Sequence, residues 1–374
     1  MSRASRAALW VLTVLAAAAA AWAAARLARP AGRPDAAWVR AALTSTDFPA
    51  FAGEQSGRLL TPGGWVEVRA QVRHGGGRWR YDYSAGPSAG SSFVLAAEAG
   101  QPAVQIMDHA DRAIVPGGKV GAPQPTAALL RNYQAVALGT NEVAGRAARV
   151  VELRSRSYGT VTARLWLDAQ TRLPLRTETC NVDGRLVATS RFTSIRYGGV
   201  PDADLTASPL GYRNVPADAT VEHAQDAESL RRELTFSPVA PDDLGDGFAA
   251  AGTYHYRCRG GNDHAEFRYQ DGLRTVCVFE ARRRHAHGGG AGMGRGRGLG
   301  RGAGPGGGGT DQWGFSDRSG AQVLEWGLTR GVRVLRGDFR VAVIGDLPAA
   351  QLSALAEQTA KKLESANAGL VLPQ

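Results

Sequence analysis

Residues 160–197 read TVTARLWLDAQTRLPLRTETCNVDGRLVATSRFTSIRY, and this stretch decides the fold. Residues 160–168 and 173–180 are two strand candidates joined by a loop of hairpin length. Asp183-Gly184 then supplies a second turn before a third strand over 185–197, because Asp-Gly tolerates the positive φ that tight hairpins need. Three strands in succession with short turns leave no room for a helical crossover. The sheet is therefore an antiparallel meander and not a βαβ array.

Working outward, residues 147–154 form another strand, and residues 126–138 read as a helix with Leu129, Leu130, Tyr133 and Val136 as its apolar stripe. Further toward the N-terminus, strand candidates fall at 112–115, 103–108, 92–97 and 78–83. The clearest is 65–73, WVEVRAQVR, where Val66, Val68, Ala70 and Val72 share one face and Trp65, Glu67, Arg69, Gln71 and Arg73 the other. That period of two marks a strand with one face buried and one wet. Residues 35–46 read as an amphipathic helix with Trp38, Ala41 and Ala42 on its inner side. Together, 34–200 make one domain.

Residues 201–220 hold three prolines and little periodicity, so 201–221 read as a linker. A smaller α+β domain follows over 222–368. Its helix candidate is 226–234, and its strands are 253–258, 265–269, 274–281, 321–328, 332–335 and 340–344. A closing helix over 349–363 starts after Pro348 and carries Leu352, Leu355 and Ala356 on one face. Within this domain, 285–309 is a Gly-rich insertion that cannot bury enough apolar surface to offset its ordering entropy, and is expected to be disordered.

The chain has 374 residues and is 44% hydrophobic, enough for two cores. Its net charge of +10 suggests nucleic acid until it is located. Residues 281–309 hold six arginines and no acid, and Arg3 and Arg6 add two more, so 10 − 8 leaves +2 for everything else. The folded body is nearly neutral, and no nucleic-acid partner is expected.

Arg3 and Arg6 precede an apolar run over 7–25, with Ala23 and Ala25 in an A-x-A pattern. Residues 1–33 thus read as a signal peptide or an uncleaved N-terminal anchor, and the protein as periplasmic or otherwise extracytoplasmic. Export permits disulfides. Of Cys180, Cys258 and Cys277, the last two fall on nearby strands and are a possible disulfide, leaving Cys180 single. His255, Cys258, His264, Cys277, His285 and His287 lack the paired spacing of a metal site, and no nucleophile-elbow, zinc-protease or phosphate-loop motif occurs. No catalytic residue, metal or cofactor is expected, and the protein reads as a non-enzyme.

Residues 143–195 resemble the MucB/RseB family of exported sigma-E regulators, most clearly in Arg164–Asp168 (RLWLD), Thr171 and Leu173-Pro174-Leu175. Residues 267–281 are similar to the family's strand–turn–strand, with Tyr269, Asp271, Gly272 and Leu273, and residues 339–363 to its closing strand, proline turn and helix. The resemblance implies an α+β protein. Its N-terminal domain would be an open antiparallel half-barrel with covering helices, like the lipoprotein carriers LolA and LolB, with a smaller α+β domain beside it. It also implies a regulator of the envelope stress response that binds the periplasmic part of a transmembrane anti-sigma factor and senses a lipid or acylated ligand. A bent sheet with loosely packed helices leaves an apolar hollow. Val66, Val68, Val151, Leu153, Leu165, Leu167 and Phe192 lie on the more apolar faces of their strands and are the lipid-cavity candidates. The alternative is a lipoprotein or lipid carrier with no signalling role.

Overall fold

The computed structural model describes residues 34–45, 47–98, 101–119, 126–206, 211–214, 219–224, 226–258, 263–283, 321–326 and 329–368. The expected signal or anchor over 1–33 and the Gly-rich insertion lie outside the described residues. No described helix is long and apolar enough to cross a membrane.

Helix α1 (Pro34–Leu43) leads into six hairpin-linked strands: β1 (Phe51–Thr61), β2 (Gly64–Gly75), β3 (Arg78–Ala85), β4 (Ser91–Glu98), β5 (Gln101–Asp108) and β6 (Ala113–Lys119). Helix α2 (Thr126–Asn132) runs directly into β7 (Tyr133–Val143), followed by β8 (Arg146–Ser155), β9 (Val161–Asp168), β10 (Pro174–Cys180) and β11 (Leu186–Tyr197). With β12 (Arg213–Asn214) these make a 12-stranded sheet in the order β12-β6-β5-β4-β3-β2-β1-β11-β10-β9-β8-β7. Every neighbouring pair is antiparallel except β12 on β6. Register breaks between Glu54 and Gln55 on β1 and between Pro174 and Arg176 on β10 add local bend. The sheet curls far enough that β7 approaches β11, although three strands separate them in hydrogen-bonding order. The result is an open half-barrel.

Strand β1 joins the hairpins of β2–β6 to those of β8–β11, yet FAGEQSGRLLT shows no apolar alternation and escaped the sequence reading. Its glycines explain why. A Cβ on Gly57 would collide with the backbone oxygen of Thr189 on β11, so this crossing of strands requires a bare backbone. The helix expected over 126–138 stops at Asn132, because Tyr133 onward pairs with β8 and tertiary hydrogen bonding overrides local periodicity. In α1 the inner face is Val39, Ala42 and Leu43, whereas Trp38 lies half-buried beneath the Arg149 guanidinium, 4.4 Å from its ring.

The smaller domain contains β13 (Ala219–Ala224), helix α3 (Ala227–Glu233), β14 (Ala249–Cys258), β15 (His264–Gln270), β16 (Thr275–Arg282), β17 (Gln322–Trp326), β18 (Thr329–Arg336), β19 (Phe339–Gly345) and helix α4 (Ala349–Ala366). The described strands form a second, 7-stranded sheet in the order β13-β14-β15-β16-β19-β18-β17. Leu352, Ala356, Ala360 and Leu363 of α4 share one buried cluster with Val332, Val334, Val341 and Val343, which is the core of this domain. Asn367 ends α4, its amide donating to Leu363 O at 2.7 Å.

Two expectations need correction. Residues 201–220 are not a free linker in their described parts: Asp202 pairs with Arg78 at 2.8 Å, the Tyr212 hydroxyl sits 2.6 Å from His109 Nδ1, and β12 extends the sheet. The segment is sewn to the half-barrel edge. Cys258 and Cys277 are not paired. Cys277 is a free thiol, and β15 lies between the strands that carry the two residues, which exceeds the span of a disulfide.

Candidate functional site

Strand β3 alternates Trp79, Tyr81 and Tyr83 on one face with Arg80 and Asp82 on the other. The aromatic row continues across the sheet, because Tyr81 faces Phe93 on β4 and Phe93 faces Ile106 on β5. Trp79 and Tyr81 stack at 6.1 Å, Tyr81 and Tyr83 at 6.3 Å, and Tyr83 meets Phe93 edge-on at 5.2 Å. On the other side Phe51 stands 5.5 Å from Trp79, with His74 at 4.4 Å from the same ring. Burial pushes the Tyr81 and Tyr83 phenols up and the His74 imidazole down, so all three are neutral at pH 7. The Trp79 indole N–H is buried with no hydrogen-bond partner among the described residues. This is an uncharged aromatic surface, half-buried at Tyr81 and Tyr83, suited to acyl chains and not to ions.

The reverse side is polar at β3 and apolar farther along, where Val94, Met107 and Ile114 form a small buried cluster. Arg73, Arg80 and Ser92 all donate to Asp82. Burial works against the Asp82 carboxylate, but the bonds from Ser92 and Arg80 outweigh it and hold its pKa below the usual range. Ser92 Oγ also lies 2.6 Å from His109 Nε2. Because the serine proton is given to Asp82, the imidazole Nε2 donates to Ser92, and Nδ1 lies 2.6 Å from the Tyr212 hydroxyl. A nucleophilic serine needs the opposite polarity, with the acid on the histidine. The constellation fastens the sheet edge.

The second feature is the seam between the domains. The β15–β16 turn, with Asp271, Gly272 and Leu273, inserts against α2. Gly272 sits at φ +108° in contact with Ala128 and Leu129, where a Cβ would overlap the Leu129 backbone. Asn132 donates to Asp271 O at 2.7 Å and to Gly247 O at 2.9 Å. Tyr133 donates to Asp271 Oδ2 at 2.7 Å, and the buried Arg274 reaches Asp271 Oδ2 at 2.8 Å and the Tyr133 hydroxyl at 3.0 Å. Nearby, Asp346 accepts the Val182 N–H at 2.8 Å, and burial pushes its pKa up to about 7.

The seven cavity candidates divide. Val151, Leu153, Leu165 and Leu167 are buried in one apolar cluster with Val39 and Leu43 of α1 and Leu129 of α2. Phe192 belongs to the aromatic cluster, 5.7 Å from Phe51, and Val66 and Val68 continue the Ala70–Val72 side of β2 half-buried. The sequence reading missed Trp79, Tyr81, Tyr83 and Phe93, although the alternation in RWRYDY over 78–83 was the available signal. Among the described residues, no group of His, Cys, Asp and Glu is arranged to hold a metal.

Residues 97–212 match the family model described as the MucB/RseB N-terminal domain. That likeness spans under a third of the chain. This domain match reaches from the end of β4 to the β12 region, well before residue 143, where the sequence likeness was plainest. Solved structures similar to this chain include MucB in complex with MucA(peri), at 19% identity and TM-score 0.48, covering 82% of this chain and 92% of that one. The Pseudomonas aeruginosa MucA/MucB complex is similar at 19% identity and TM-score 0.47, covering 82% and 91%. A LolA superfamily protein from Nitrosomonas europaea shares 15% identity at TM-score 0.23, covering 42% of this chain and 90% of its own. No curated protein matches the sequence.

Proposed function

We propose that this chain is an exported, non-enzymatic regulator that binds the periplasmic part of a membrane-anchored anti-sigma factor and senses a lipid-like ligand. The observation that carries the reading is the match to the MucB/RseB N-terminal domain over residues 97–212. A MucB structure is of a complex with MucA(peri), which gives the class of partner to test. Export is supported by the charged and apolar pattern of residues 1–33. Lipid sensing is supported by the neutral aromatic face of β3–β5, which is apolar and half-buried at Tyr81 and Tyr83.

The test is co-purification of the full chain with the exported part of a candidate anti-sigma factor, with and without a fluorescent fatty-acyl probe. A complex that the probe dissociates supports the regulator. No complex, together with transfer of acylated cargo between vesicles, replaces it with the lipid-carrier reading.

A further inference from the structure

The face of the half-barrel carrying Arg164, Glu178 and Arg58 holds a basic recess that the aromatic surface does not share. Cross-strand register aligns Glu152, Arg164, Glu178, Thr189, Arg58 and Glu67 in one row over β8, β9, β10, β11, β1 and β2. The next row runs Trp166, Arg176, Arg191, Ser56, Arg69. A recess of about 400 Å³ opens over β1, β2, β10 and β11, bordered by Arg58, Arg69, Arg176 and Arg191 with Glu67 and Glu178.

The carboxylates on this face are already engaged. Glu152 takes Arg154 and Arg164, each at 2.7 Å, Glu178 takes Arg164 and Arg176, and Glu67 takes Arg69. Arg58 and Arg191 make no ion pair among the described residues, and both are exposed at the recess. Six guanidinium groups thus face three carboxylates. Arg176 is held by stacking on Trp166, 4.1 Å from the ring, which fixes its fork before any ligand arrives. Next to Arg58, 5.3 Å away, the Trp65 ring is 42% exposed at the end of the β1–β2 hairpin.

We propose that this recess binds a phosphate-bearing ligand through Arg58 and Arg191, with Arg69 and Arg176 flanking. A phosphate presents several oxygens to several guanidinium forks and carries the multiple negative charge that this excess requires, which a single carboxylate does not. The recess is also large enough for a pyrophosphate or a phosphorylated headgroup. The assignment is independent of the regulator reading and of the aromatic face.

The experiment uses the full chain at low ionic strength, where exposed charges are least screened. Inorganic pyrophosphate is titrated by calorimetry. In parallel, the chain is floated with phosphatidylcholine vesicles, with and without phosphatidylglycerol. The variant Arg58→Gln/Arg191→Gln should weaken binding by about tenfold or more, the loss of one charge-assisted contact or better. The variant Arg283→Gln/Arg336→Gln removes equal charge from the other domain and should bind as the parent does; thermal melts of both variants report folding. Pyrophosphate binding that the recess variant loses identifies a soluble phosphate ligand, and binding only to phosphatidylglycerol vesicles that the variant loses identifies a lipid headgroup; either supports the site. Failure of both probes, equal binding by the recess variant, or preference for a poly-glutamate peptide overturns it.

Discussion

At the scale of single residues, Glu280 and Asp346 set the direction in which stability depends on pH. Glu280 is fully buried on β16; one carboxyl oxygen accepts the Val239 N–H at 2.9 Å, and the other has no partner among the described residues. Burial pushes its pKa to about 8 from an ordinary 4.5. A carboxyl raised by folding keeps its proton longer in the native state, so the native state binds more protons between the two values and stability falls as pH rises through that window. Asp346 acts in the same sense but only up to about 7. Asp82, Asp168 and Glu152 are held below the ordinary range and act oppositely, losing their contribution only as pH falls through their low folded values. The unfolding free energy from urea titration should therefore decline from pH 5 to pH 8, with a slope approaching about 1.4 kcal/mol per pH unit for each raised group. Glu280→Gln should remove most of the slope that remains near pH 8, where Asp346 is largely ionised. A variant whose slope there is unchanged would remove Glu280 from the account.

At the scale of elements, the legible strands were those with alternation on a half-buried face, such as β2, or with a turn signal between them, such as β9 to β11. Helix α2 was half legible, because the stripe through Leu129 and Tyr133 is real while the chain beyond Asn132 is captured by β8. Strand β1 was illegible: its role depends on what Gly53 and Gly57 lack, and pattern reading counts side chains. The candidate site followed the same logic, since apolar positions were recognised but covering helices could not be assigned to particular strands. Two outcomes test the division that resulted. Leu153→Ala, in the cluster shared with α1 and α2, should cost about 2–5 kcal/mol in urea unfolding and leave acyl-probe binding intact. Tyr83→Ala, on the half-buried aromatic row, should lose the probe with a smaller stability cost. The reverse pattern would return Leu153 to the cavity and Tyr83 to plain packing.

At the scale of the whole molecule, the question is what makes two sheets behave as one body. Leu273 and Tyr158 each pack on the other domain's core, and between them lie buried polar groups that cannot be satisfied separately. Arg274 is nearly inaccessible and lies among Asp271, Tyr133 and Tyr158, with its guanidinium 4.7 Å from the Tyr158 ring. Replacing it with Ala strands the Asp271 carboxylate in the interior. Breaking a buried pair in this way costs about 3–5 kcal/mol, far more than the pair's net worth, because the remaining charge is uncompensated. Asp271 and Arg274 come from the smaller domain, while Tyr133, Asn132 and Ser155 come from the half-barrel, so the penalty falls on docking and not on either core. Calorimetry of the parent chain should show one cooperative transition and that of Arg274→Ala two, with trypsin cutting the variant faster between residues 206 and 226. Asp183→Asn, which removes the exposed carboxylate paired with Arg330 across the same seam while Arg330 keeps Glu325, is the contrast. Exposed pairs contribute about 0–1 kcal/mol, so it should leave the transition single. If Arg274→Ala also unfolds as one unit, the domains are coupled through the Gly272 turn on Leu129, and Gly272→Val becomes the variant that separates them.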